Sequence, residues 1–164
     1  RSSIAQTIAS SKSPVTGGRL ASKTGVTRQI VVQDIALLRA GGLPIIATPS
    51  GYIMLDTHGP QRAVRVFACR HNTPEAAMTE LMTIVEGGGT VRDVIVEHPV
   101  YGEITGSLML RTRESVQKLL SRLGPDSQML SSMTCGVHMH TVDAPDEEAL
   151  DAIESKLRQA NILI

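Results

Sequence analysis

The chain has 164 residues, enough for one domain or two small ones, and its 41% apolar content permits a packed core and excludes wholesale disorder. Sixteen Lys and Arg balance sixteen Asp and Glu, which excludes a uniformly basic nucleic-acid coat, and the scarcity of aromatics (Tyr52, Phe67 and Tyr101) excludes a single-strand binder built on base stacking. No apolar run approaches the ~18–20 residues of a membrane span, the start lacks a secretory pattern, and two cysteines are too few for a disulfide scaffold, so a cytoplasmic protein is expected.

The neutral total hides an asymmetry. Residues 1–58 carry six basic side chains against two acids, a net +4, whereas residues 59–164 carry ten against fourteen, a net −4. Such a split suggests one part that meets phosphate and another with a different task, although segments of this size also differ by chance. Asp56-Thr57-His58-Gly59-Pro60 combines turn formers and marks the boundary, giving expected domains 1–57 and 61–164. His58 falls in this linker and reads as solvated.

In chain order, residues 4–11 form a short helix candidate. Thr16 caps a helix over 17–23, Gly25 breaks it, and Thr27 caps a further helix to about residue 40. Val31, Ile35 and Leu38 recur at spacings of four and three, which predicts one buried stripe faced by Leu20 and Ala21. Ile30, Val32 and Leu37 are apolar yet lie off that stripe. Runs 43–47 and 52–55 flank Thr48-Pro49-Ser50-Gly51 and read as a β-hairpin.

Three helices and a hairpin make a winged helix-turn-helix, whose last helix enters the DNA major groove N-terminus first. Thr27, Arg28, Gln29 and Gln33 then face bases, because Arg grips guanine and Gln pairs with adenine, while Arg19, Lys23 and Lys12 suit phosphate. A three-helix protein-interaction module is the competing reading.

The remainder alternates strand and helix. Residues 64–69 read as a strand. Thr73 and Pro74 start a helix that runs to Val85 and stops at Gly87-Gly88-Gly89. Residues 91–96 form a strand, and Ile104, Leu108 and Leu110 alternate in another. Thr112 caps a helix with Val116, Leu119, Leu120 and Leu123 on one face, closed by Gly124-Pro125. Residues 137–142 form a strand. Pro145 and the following acids open a last helix faced by Leu150, Ile153 and Leu157. The order β-α-β-β-α-β-α is α+β and resembles the ferredoxin-like, split βαβ plan.

His138 and His140, two apart in a strand, point to one face. Glu80 shares a helical stripe with Ala76, Ala77 and Ile84, and a carboxylate there needs a partner if that face is buried. His71 ends the first strand. If the last strand lies beside the first, His71, Glu80, His138 and His140 converge into a set suited to Zn, Ni, Fe or Co rather than Mg or Ca. Otherwise Glu80 pairs with a surface Arg and the histidines are ordinary strand residues. His98, before Pro99 in a tight turn, reads first as a structural hydrogen bonder and second as a ligand contact. Cys135 is spaced wrongly for the His138/His140 face.

Arg70-His71, Glu80-Leu81, the run from Asp93 through Glu97-His98-Pro99-Val100-Tyr101-Gly102 to Ile104, and Gly136-Val137-His138-Met139-His140-Thr141 resemble the 3H domain. Gly25-Val26-Thr27-Arg28-Gln29 and Gln33-Asp34-Ile35 are similar to the winged helix that precedes it in niacin-responsive bacterial repressors. The resemblance implies a dimeric repressor of NAD biosynthesis or niacin-uptake genes, not an enzyme. It implies nicotinic acid as co-repressor and a metal on His71, Glu80, His138 and His140. It also implies that the first helix starts slightly before Arg1. Arg70 is then the expected charge partner for the nicotinate carboxylate. The rival readings are a metal sensor without an organic effector, a hydrolase using Glu80 or Glu97 as general base on a metal-bound water, and a purely structural metal.

Overall fold

A computed structural model describes residues 1–56, 59–124 and 128–164. Thr57, His58 and Pro125, to which the sequence assigned linker and helix-closing roles, lie outside the described residues. The chain divides into two compact units, Arg1–Gly59 and Pro60–Ile164.

The first unit holds α1 (Ser2–Ala9), α2 (Gly17–Thr24), α3 (Arg28–Ala40), β1 (Ile45–Thr48) and β2 (Gly51–Met54). Thr16 and Thr27 cap α2 and α3, each hydroxyl accepting a backbone N–H three residues on, from Arg19 and Ile30. Gly25 takes the left-handed conformation, φ 68°, that ends α2. Ile4, Ile8, Val15, Leu20, Val31, Ile35 and Ile45 form the core, with Leu38 packed at its margin. Ile30, Val32 and Leu37 stay exposed.

Two boundaries shift. The helix expected over 4–11 ends at Ala9, because Ser11 turns the chain by donating to the Ser13 carbonyl. The wing strand expected over 43–47 begins at Ile45. Gly51 lets β2 press against the segment before α2: Val15 and Tyr52 exchange both backbone hydrogen bonds, and a Cβ on Gly51 would lie 2.5 Å from the Val15 carbonyl oxygen.

The second unit holds β3 (Ala63–Arg70), α4 (Pro74–Glu86), β4 (Thr90–His98), β5 (Gly102–Leu110), α5 (Arg113–Leu120), a 3-10 turn (Leu130–Thr134), β6 (Val137–Ala144) and α6 (Glu147–Gln159). The four strands pair antiparallel in the order β3-β6-β4-β5. β3 and β4 therefore run in the same direction with one strand between them, which is the split βαβ plan. The strand that fills the gap is the last one, β6, while the β4–β5 hairpin leaves β5 at the edge.

Phe67, Val91, Leu110 and Val142 from the sheet meet Leu81 and Ile84 of α4, Val116 of α5, and Leu150, Ile153 and Leu157 of α6 in one core. Each such side chain contributes roughly 1.5–3 kcal/mol on burial. Two features differ from expectation. α5 stops at Leu120, before Leu123, because Arg122 and Leu123 tighten into i→i−3 hydrogen bonds. The 3-10 turn before β6 has no counterpart among the elements expected from the sequence.

Candidate metal centre and nucleic-acid interface

α4 turns Ala77, Glu80, Leu81 and Ile84 inward, a helical stripe that carries a carboxylate into the core. Alternation along β6 aims His138 and His140 at the same helix-covered side as Val142 and Ala144. Glu80, His138 and His140 are only 1%, 3% and 4% exposed. His71 follows β3 directly, and its N–H donates to the Gly136 carbonyl at the entry to β6. Gly136 makes that approach possible: its φ is 85°, and a Cβ there would clash with Asn72 Oδ1 and the His71 carbonyl oxygen.

The structure brings His71, Glu80, His138 and His140 together. His138 Nε2 is 3.1 Å from both carboxylate oxygens of Glu80, His140 Nε2 is 3.4 Å from Oε1, and His71 Nε2 contacts Oε2. The His71 and His140 rings stand edge-on to His138, with centroids 4.7 and 4.9 Å away. The far nitrogens of two rings are held by backbone: His138 Nδ1 donates to the Gly136 carbonyl at 2.8 Å, and His140 Nδ1 to the Asp93 carbonyl at 2.6 Å. His71 Nδ1 is buried without a hydrogen-bond partner among the described residues.

Burial alone pushes the Glu80 carboxyl up. Hydrogen bonds from His138, His140 and His71 outweigh it and hold the group well below the usual carboxylate range. Burial pushes His138 down, but its hydrogen bond and attraction to Glu80 leave it raised.

These residues suit a metal ion. A backbone carbonyl on Nδ1 fixes the tautomer in which Nε2 offers its lone pair, the usual arrangement behind a metal-binding histidine. Three imidazole nitrogens and one carboxylate match Zn, Ni, Fe or Co and not an all-oxygen Mg or Ca shell.

Two residues without an expected role belong to this region. Cys69 is fully buried on β3, directly opposite His138 in the β3–β6 register. Its sulfur, a Glu80 oxygen and a His138 nitrogen all lie within 4.8 Å of one another. Burial, then the Glu80 charge, pushes its thiol far up. Asp93 sits where the β4–β6 register shifts between Val91 and Ile95. Its carboxylate accepts the Thr141 N–H at 2.8 Å while its carbonyl holds His140. The charged pair Arg92-Asp93 inside the otherwise apolar strand 91–96 was the available signal for it.

Neither Arg70 nor His98 hydrogen-bonds to the histidine cluster among the described residues, and His98 takes the structural role expected of it first. Arg70 follows buried Cys69 in a strand, so alternation turns it to the opposite face; it is exposed and pairs with Val137. His98 serves its own turn: Nδ1 accepts the N–H groups of Val100 and Tyr101 at 3.1 and 3.3 Å, and its ring leans on Tyr101.

In the first unit, Arg19, Lys23, Thr27, Arg28, Gln29 and Gln33 are all exposed. Gln29 and Gln33, four apart on α3, share a face. Arg28 lies over Gly17 beside Tyr52. Thr27 is a cap first, since its hydroxyl already accepts the Ile30 N–H.

Residues 64–164 match the family described as 3H domain, and residues 1–53 match an HTH domain. The chain is 46% identical over 157 residues to "Transcription repressor NadR" of Bacillus subtilis, covering 94% of this chain and 87% of that protein. It is 42% identical over 163 residues to "Probable transcription repressor NiaR" of Thermotoga maritima, covering 99% of this chain and 91% of that one. Among the described residues, no helix is long and apolar enough to cross a membrane. An exposed, capped helix beside a wing, joined to a 3H domain and shared with named repressors, is the equipment of a DNA-binding regulator and not of an enzyme. The chain belongs to the niacin-responsive family of transcription repressors, which couple an HTH domain to a 3H domain.

Proposed function

We propose that this repressor acts as a cytoplasmic homodimer on genes of NAD biosynthesis or niacin uptake. Nicotinic acid is its co-repressor, and a divalent transition metal (Zn, Ni or Fe) is held by His71, Glu80, His138 and His140. The observation that carries this reading is the convergence of three imidazole Nε2 atoms on one buried carboxylate. When bound, the metal supplies a Lewis-acid centre that attracts the ring nitrogen or carboxylate of a small pyridine acid.

The chain's own groups do the rest. Gly136 and Asp93 orient the rings of His138 and His140, Glu80 balances the positive charge, and the surrounding core excludes water. Nicotinic acid shifts operator binding only through a difference in its affinity for the two states of the repressor. A homodimer fits a two-fold operator whose half-sites lie about 34–36 Å apart.

Calorimetric titration of nicotinic acid into metal-loaded and metal-stripped protein tests this. Saturable heat is expected from the loaded protein alone, with nicotinamide and quinolinate as comparisons. Equal binding to stripped protein contradicts the role given to the histidines. Metal binding with no heat from any of the three compounds favours a metal sensor.

A further inference from the structure

We propose that Cys69 contributes a thiolate sulfur to the ion held by His71, Glu80, His138 and His140, making the centre a mixed nitrogen, oxygen and sulfur site. This rests on the metal reading given above. Three observations lead to it. Cys69 is fully buried. It pairs with His138 across β3 and β6, so the alternation that aims His138 at Glu80 aims Cys69 at the same place. Its sulfur, the carboxylate oxygen and the imidazole nitrogen all lie within 4.8 Å of one another.

An ion bonded to sulfur at about 2.3 Å and to nitrogen or oxygen at ~2.0–2.2 Å draws its donors to within about 4.5 Å of each other. The three atoms stand close to that separation already. Cys69 sits at the edge where the apolar core of Phe67, Leu81 and Ile84 meets the Glu80–His138 pair. On binding, the S–H bond breaks, the proton leaves to solvent and a sulfur–metal bond forms, with no change in oxidation state. A thiolate makes the donor set softer and directs its preference toward Zn or Co over Mn or Mg.

The test uses the full chain, stripped of metal and reloaded with one equivalent of Co(II). The expected spectrum shows weak visible ligand-field bands together with a strong near-ultraviolet sulfur-to-cobalt charge-transfer band. C69S keeps the visible bands and loses the ultraviolet one. C135S, which alters the exposed cysteine, keeps both. The chain has two cysteines, so if C69S does not fold, the wild-type and C135S spectra decide the matter by themselves. Visible bands without the ultraviolet band overturn the role of Cys69 and leave the four-residue site standing, as does an ultraviolet band that survives in C69S. Absence of all cobalt bands overturns both readings.

Discussion

Replacing Glu80 with alanine is expected to destabilise the metal-free protein by about 3–5 kcal/mol, the usual cost of removing one partner from a buried ionic cluster. The same change is expected to abolish retention of metal through gel filtration. The carboxylate is 1% exposed and contacts three imidazoles at once, so its loss leaves raised His138 and its neighbours buried without their counter-charge. E80Q retains the volume and one acceptor oxygen. It is expected to be less destabilising than E80A while still losing most of the metal. E86A, at the exposed end of the same helix, removes only a surface pair with Arg113 and is expected to stay within about 0.5 kcal/mol of wild type. Urea unfolding of stripped protein and elemental analysis of loaded protein supply the two readouts. Wild-type stability and metal content in E80A would contradict the assignment.

The second large effect is expected on α3. Gln29 and Gln33 share an exposed face just beyond the Thr27 cap, and Arg28 precedes them. Alanine at Gln29 or Gln33 is expected to weaken operator binding by about 5- to 150-fold, equivalent to ~1–3 kcal/mol, and to relax preference at one base pair. K23A or R19A removes a phosphate contact instead. Binding to operator and to scrambled duplex is then expected to weaken alike, with the salt slope smaller by about one. R28A combines lost recognition with lost packing over Gly17, so it is less clean than the glutamine variants. Fluorescence anisotropy on both duplexes at several salt concentrations separates these patterns. Equal losses on both duplexes for Q29A and Q33A would remove them from base recognition.

α2 and α3 were legible because each carries its own punctuation, whereas α1 has no side-chain cap and its bounds were displaced. Thr16, Thr27 and Gly25 mark ends whose hydrogen bonds are local, and Val31 and Ile35 show the buried face directly. His138, His140 and Glu80 could likewise be assigned faces from local period alone. What joined them was the adjacency of β3 and β6, a long-range pairing that the sequence left as a condition. The importance of Cys69 depended on the same pairing, because only the register sets it opposite His138. Asp93 was harder still, since its carboxylate and its carbonyl both meet β6 at a break in strand register that the sequence does not show. Arg70 lies beside buried Cys69 in β3, and strand alternation gives it the opposite, exposed side. The 3-10 turn at Leu130–Thr134 has neither a side-chain cap nor an apolar period, and it is fastened from its C-terminal side, where the Gly136 N–H donates to the Ser131 carbonyl.

In the function proposed above, the histidine–glutamate centre makes operator binding responsive to nicotinic acid. The most direct measurement is operator affinity by fluorescence anisotropy at one stated salt concentration, on metal-loaded and metal-stripped protein, each with and without nicotinic acid. The expected result is tighter binding on addition of nicotinic acid to the loaded protein and no response from the stripped protein. Operator affinity that tracks metal alone, unchanged by nicotinic acid, would contradict the account.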